Sequence, residues 1–82
     1  MPKARRVTKL RTDRNSIAKT VAKLRTQQNL TQEDLAGRAA VVGWMISRHV
    51  VKRIERGERE VTDIELRKLA AALRVPPAIL LE

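Results

Sequence analysis

The 82 residues are enough for one domain with one small core, too little for a deep catalytic cleft. With no Cys and a single His, His49, the chain has no means to form disulfides or to bind a metal without carboxylate help, and no cofactor is expected. Eighteen Lys+Arg against nine Asp+Glu leave +9, a balance that suits a polyanionic partner, and the lone aromatic, Trp44, offers no platform for stacking single-stranded bases.

The charge and the lone aromatic together favour double-stranded DNA as the partner over RNA or single strands. A membrane is not expected, because no apolar run approaches the ~20 residues of a transmembrane helix. No secretion signal is visible, so the expected location is cytoplasmic. A small-molecule effector is not expected either, since the length leaves no room for a second domain.

Residues 1–14 read as a basic, flexible arm. Lys3, Arg5, Arg6, Lys9, Arg11 and Arg14 stand against Asp13 alone, so six charges less one place +5 of the +9 there. The plain reading is a solubilising tail. The sharper one is an arm whose Lys3, Arg5 and Arg6 follow phosphates or enter a minor groove. The folded domain is expected over residues 15–82.

Ile17, Val21 and Leu24 recur at helical spacing, with Lys19, Lys23 and Thr26 on the other side, which predicts a first helix over Ser16–Gln28 closed by Asn29. Thr31 is the N-cap of the second. Asp34 at N3 completes a capping box, Leu30 and Leu35 form a hydrophobic staple, and Gly43 ends the helix. Its inner face of Leu35, Ala36, Ala39 and Ala40 permits close approach.

After the apolar connection Trp44-Met45-Ile46, Ser47 caps a third helix, stapled by Ile46 and Val51 and stopped at Gly57. Thr62 and Glu65 form a second capping box, with Val61 and Leu66 as its staple, and Leu66, Leu69, Ala70 and Leu73 line the buried side of a fourth helix. Val75-Pro76-Pro77 breaks it, and a short fifth helix is expected over Ala78–Leu81. No strand pattern occurs, so the fold class is all-α: five short helices and an arm.

The third helix carries the chemistry. On a wheel of about 100° per residue, Val51 and Ile54 fall together with Ser47 between them, marking the core side. Arg48, His49, Lys52, Arg53 and Arg56 lie opposite, all of them hydrogen-bond donors and none of them acidic. An ordinary solvated face mixes signs along i, i+4. A uniformly basic one repels itself unless an anion covers it.

A rod of about ten residues and ~15 Å fits the ~12 Å major groove by its first turns. Arg48 and Arg53 have the fork for guanine O6 and N7, His49 can exchange a hydrogen bond with a base edge, and Val50 can touch a thymine methyl. Lys52 and Arg56 suit phosphates, as do Thr31 and Gln32 at the start of the second helix, and Arg59 just beyond the third. For Thr31, a simple cap is the stronger reading. Glu55, near the buried side, is either a surface pair with a neighbouring Arg or a tie to an Arg of the first helix.

Leu30-Thr31-Gln32-Glu33-Asp34-Leu35-Ala36, Ile54-Glu55-Arg56-Gly57 and Leu69-Ala70-Ala71-Ala72-Leu73-Arg74-Val75 together resemble the lambda-repressor-like helix-turn-helix family, also called Cro/C1 or XRE type. The resemblance covers about Ser16–Leu81. It implies a compact five-helix domain in which residues just after the third N-cap read bases, which lands on Arg48, His49 and Val50, with Arg53 one turn on. It implies a phosphate contact for Gln32 and an ion pair between Arg25 and Glu55.

The chain departs from the usual family pattern in a longer turn between the second and third helices. Gly43-Trp44-Met45-Ile46-Ser47-Arg48 and Arg59-Glu60-Val61-Thr62-Asp63 look like the sub-group with a G-W-x-I-S-R turn, where Trp44 is expected as a core anchor.

The function implied is a sequence-specific transcriptional regulator, a repressor acting as a homodimer on a two-fold operator, with no catalytic residues. The other readings are an antitoxin-type interaction protein that also binds its own promoter, against which the lack of a long segment after Leu81 weighs, and a non-specific architectural nucleic-acid binder. Ile79, Leu80 and Leu81 are expected to divide between the monomer core and a dimer contact.

Overall fold

A computed structural model of the chain describes residues Arg14–Leu81; the arm residues Lys3, Arg5 and Arg6 lie outside the described residues. Five helices follow in order: α1 (Arg14–Gln27), α2 (Gln32–Val41), α3 (Arg48–Glu55), α4 (Asp63–Leu73) and α5 (Pro77–Leu80). Among the described residues there is no strand, and no helix is long and apolar enough to cross a membrane.

The caps explain where the helices start. Thr31 Oγ1 accepts from the Asp34 amide at 2.9 Å while Asp34 Oδ2 accepts from the Thr31 amide at 2.9 Å, the reciprocal capping box. Thr62 and Glu65 repeat it at α4, at 3.2 and 3.1 Å. Pro77 occupies the first turn of α5, as its fixed φ favours, and the helix bounds fall one residue earlier than the expected Ala78–Leu81. Helix α1 likewise begins at Arg14, two residues ahead of the expected Ser16.

Four helices end in one way. After α1, α2, α3 and α4 the chain passes through a left-handed residue: Asn29 (φ 59°), Gly43 (φ 90°), Gly57 (φ 72°) and Arg74 (φ 60°). In each case the next amide reaches back to the last helical turn: Leu30 to the Arg25 carbonyl at 3.0 Å, Trp44 to Ala39 at 2.8 Å, Glu58 to Arg53 at 2.9 Å and Val75 to Ala70 at 3.0 Å. These are Schellman closures, which satisfy carbonyls that would otherwise lack a partner. The sequence signals Asn29, Gly43 and Gly57 as stops. Arg74 carries no such signal, since a Cβ makes this conformation unfavourable.

The core is one cluster. Ile17 and Val21 of α1, Leu35 and Ala36 of α2, Val51 and Ile54 of α3, Leu66, Leu69, Ala70 and Leu73 of α4 and Leu80 of α5 are buried together. Leu24, Leu30, Ile46 and Val61, the residues of the helical stripe and staples, pack at its edge, and so does Trp44. Helix α3 is seated on α1 and α2, while α4 holds α2 on one side and α5 on the other. This leaves one whole side of α3 uncovered. At the C-terminal end Leu80 is fully buried, Ile79 half-buried and Leu81 exposed, so only part of that apolar segment serves the monomer.

Polar side chains close the seam where α1, α2 and α4 meet. Gln28 Nε2 donates to the Leu73 carbonyl at 2.7 Å, and Arg38 Nη1 donates to the Ala72 carbonyl and to Gln28 Oε1, both at 3.2 Å. The last carbonyls of α4 thus find partners on α2 and in the turn that follows α1. Nothing in the spacing of Gln28 and Arg38 announces this, because the contact spans more than thirty residues of chain.

Candidate nucleic-acid interface

Helix α3 divides cleanly by exposure. Val51 and Ile54 are buried and hold it to the core. Arg48, His49, Lys52, Arg53 and Arg56 are exposed, with Val50 half-buried at the margin and packed against the core cluster. The five exposed residues form the outer face that the wheel predicts. Ser47 occupies the N-cap with extended torsions (φ −94°, ψ 168°), but its side chain makes no capping hydrogen bond. The capping position is as expected, while the hydroxyl contributes nothing to the cap.

The inner edge of α3 is tied down by charge. Arg25 Nε donates to Glu55 Oε2 at 2.6 Å and Arg25 Nη2 to Glu55 Oε1 at 3.1 Å, a bidentate pair whose side chains are 16% and 6% exposed. Arg25 Nη1 also donates to the Leu30 carbonyl at 2.7 Å. Of the two readings open for Glu55, the tie to the first helix holds. Gln32 joins the same group, its Nε2 donating to Glu55 Oε1 at 3.0 Å. Glu55 therefore locks α1, α2 and α3 together and fixes the side chain of Gln32, leaving that amide's second hydrogen for another acceptor.

Two acids from outside α3 reach the basic face, and one of them comes from a different helix. Glu33, in the first turn of α2, accepts from Arg48 Nη1 at 3.2 Å, and both side chains are largely exposed. The outer arc of α3 by itself carries no acid, and only the packing of α2 beside it brings Glu33 in. Glu33 also favours the positive end of the α2 dipole. At the other end of α3, Arg56 meets Glu58 at 3.2 Å, again exposed.

Arg59 has partners inside the molecule. Its Nη1 and Nη2 form a fork with Glu65 Oε1 and Oε2 at 2.9 and 3.1 Å, Nη1 also donates to the Glu60 carbonyl at 3.2 Å, and its Cζ lies 5.8 Å from the centre of the Trp44 ring. The fork with Arg59, followed by the hydrogen bonds from Thr62, holds the Glu65 carboxyl below its ordinary value, and the same fork raises the Arg59 guanidinium. Asp34 is also lowered, by its backbone and side-chain hydrogen bonds with Thr31. Thr31 itself is engaged as a cap through Oγ1, in agreement with its stronger reading.

A helix cap, a bent connection and a second helix with one free basic side are the parts of a helix-turn-helix unit. The helix-turn-helix family model HTH_3 matches residues 21–80. The chain belongs to the helix-turn-helix family of the XRE, or Cro/C1, type.

Two solved structures place this family member further. The restriction-modification controller protein C.AhdI from Aeromonas hydrophila is 34% identical, with a TM-score of 0.73 over 83% of this chain and 91% of that one. The hypothetical transcription factor NHTF from Neisseria shares the fold at 24% identity, with a TM-score of 0.76 over 96% of this chain and 85% of that one. No curated protein sequence matches the chain. As a helix-turn-helix protein of this type, the chain is a DNA-binding transcriptional regulator.

Proposed function

We propose that this helix-turn-helix protein is a sequence-specific repressor that binds a two-fold operator in double-stranded DNA as a homodimer, with α3 in the major groove. The observation that carries this reading is the outer face of α3, where Arg48, His49, Lys52, Arg53 and Arg56 are exposed opposite the buried Val51 and Ile54. Arg48 and Arg53 pair with guanine, His49 with a base edge, and Val50 touches a thymine methyl. Lys52, Arg56 and the start of α2, with Thr31 and Gln32, sit on phosphates. Lys3, Arg5 and Arg6 of the basic N-terminal segment add contacts to the backbone or minor groove.

A single module of this size makes few base contacts, and two modules double them. Leu81, exposed at the end of α5, is part of the two-fold contact in this reading. The likeness to a controller protein supports a regulatory role, and no enzymatic activity is proposed.

Selection from random duplex DNA tests the whole reading. A palindromic consensus with half-sites about one helical turn apart is the expected result. Recovery of unrelated sequences, with equal affinity for random duplex, would show a non-specific binder instead.

A further inference from the structure

The two sequence segments that look like a sub-group signature, Gly43–Arg48 and Arg59–Asp63, lie on opposite ends of α3 and meet in the folded chain. Trp44 belongs to the turn that leads into α3, and its amide donates to the Ala39 carbonyl at the end of α2. Arg59 follows α3, with its guanidinium 5.8 Å from the centre of the Trp44 ring. The same guanidinium is forked onto Glu65, whose Oε1 also accepts from the Thr62 amide at the start of α4. From α4, Lys68 Nζ donates to the Val42 carbonyl at 3.2 Å, a second cation pinning the same turn. The segments entering and leaving α3 are thus joined to each other and to α4.

We propose that Arg59 is a positioning residue for the recognition helix: the clasp Trp44–Arg59–Glu65 sets the angle at which α3 presents Arg48 and Arg53. This inference rests on the reading of α3 as the base-contacting helix. Three hydrogen bonds and a ring face already engage the Arg59 guanidinium, and Glu65 neutralises its charge. A phosphate approaching Arg59 therefore meets a guanidinium that already carries a bound carboxylate.

The clasp matters more for geometry than for stability. Its side chains are 30% and 19% exposed, a setting in which an ion pair adds little to folding. A two-point fork, however, fixes direction as well as distance. Base contacts by forked side chains fail on displacements of about an ångström, whereas charge attraction to phosphates tolerates them. A loosened clasp therefore lowers discrimination before it lowers general affinity.

The test compares affinity for the selected duplex and for random duplex of equal length, across salt, in Arg59→Lys, Glu65→Gln and Trp44→Leu, with Arg59→Gln as the variant that removes the charge. Glu65→Gln keeps a carbonyl acceptor for the α4 cap and removes an acid, so charge alone predicts tighter DNA binding. The clasp predicts that all three variants lower the selected-to-random ratio about tenfold, the size of one lost bidentate base contact, with the random-duplex affinity and salt slope unchanged.

An unchanged ratio in Arg59→Lys, together with a salt slope reduced by about one on both duplexes in Arg59→Gln, would make Arg59 a phosphate ligand and overturn the proposal. An equal loss on both duplexes overturns it as well, since that is what reduced folding alone produces. Arg48→Ala, run in parallel, separates the two levels. If it lowers the ratio and the clasp variants do not, only the clasp fails; if it too leaves the ratio unchanged, the base-reading role of α3 fails and the clasp with it.

Discussion

Arg25 of α1 forks onto Glu55 of α3 across 30 residues of chain, with Nε–Oε2 at 2.6 Å and Glu55 only 6% exposed. Removing one member leaves a charge out of water without its partner. Arg25→Met is expected to cost about 3 kcal/mol, read as a lower urea midpoint with unchanged slope. Arg25→Met with Glu55→Leu is expected to recover much of that loss, because no uncompensated charge remains. A double variant as unstable as the single one would show that the pair itself, rather than the stranded carboxylate, sets the cost.

On the face proposed to meet DNA, Glu33 holds Arg48 at 3.2 Å in an exposed pair. In the proposed complex guanine has to draw Arg48 away, and a phosphate approaching α2 meets the acid. Glu33→Gln is expected to raise affinity for selected DNA about threefold at low salt, in line with an exposed pair worth ~0.6 kcal/mol. The gain shrinks at high salt. Fluorescence anisotropy over a salt series reads both effects.

Arg48→Ala and Arg53→Ala are expected to relax base preference at one position each, by about 1–3 kcal/mol. Lys52→Ala and Arg56→Ala are expected to weaken binding evenly across sequences and to lower the salt slope by about one each. Competition binding against single-base operator variants distinguishes these two patterns.

Arg74 ends α4 at φ 60°, where glycine carries no Cβ penalty. Arg74→Gly relieves that strain but loosens the unfolded chain, and the net gain is expected at about 0.5–1 kcal/mol. In a domain this small it raises Tm by roughly 4 °C, which differential scanning calorimetry resolves. A lower Tm would mean that Arg74 makes a stabilising interaction greater than the strain.

Glu65 supplies a pH test. Its carboxyl is held below the ordinary 4.5 by the Arg59 fork and the Thr62 hydrogen bonds. A group with its folded value depressed contributes stability that is fully present above the unfolded value, near 4.5, and is lost as pH falls through the folded one. The stability of the wild type relative to Glu65→Gln is therefore expected to fall as pH drops below 4.5. Thermal melts of both proteins between neutral and acidic pH check the sign.

Much of this protein is local, and what is local is legible in its sequence. Both capping boxes need only residues three apart, and the stops at Asn29, Gly43 and Gly57 need only a residue that tolerates positive φ. The two faces of α3 follow from helical spacing, so Val51 and Ile54 separate from the basic residues without knowledge of the fold. Resemblance to a family, rather than spacing, named Arg25 as the partner of Glu55.

The tertiary structure alone decided what long-range contacts do to those residues. It brought Glu33 to Arg48, joined Gln32 to Glu55 and turned Arg59 inward to Glu65 and Trp44. The reason is physical. A helix's period states which side of it is apolar, but the partners of its polar side chains depend on which other helices lie beside it. Those neighbours are selected by burial of the whole core, not by any one segment. For Arg59 that burial put a carboxylate and an indole within reach, which no spacing in the chain states.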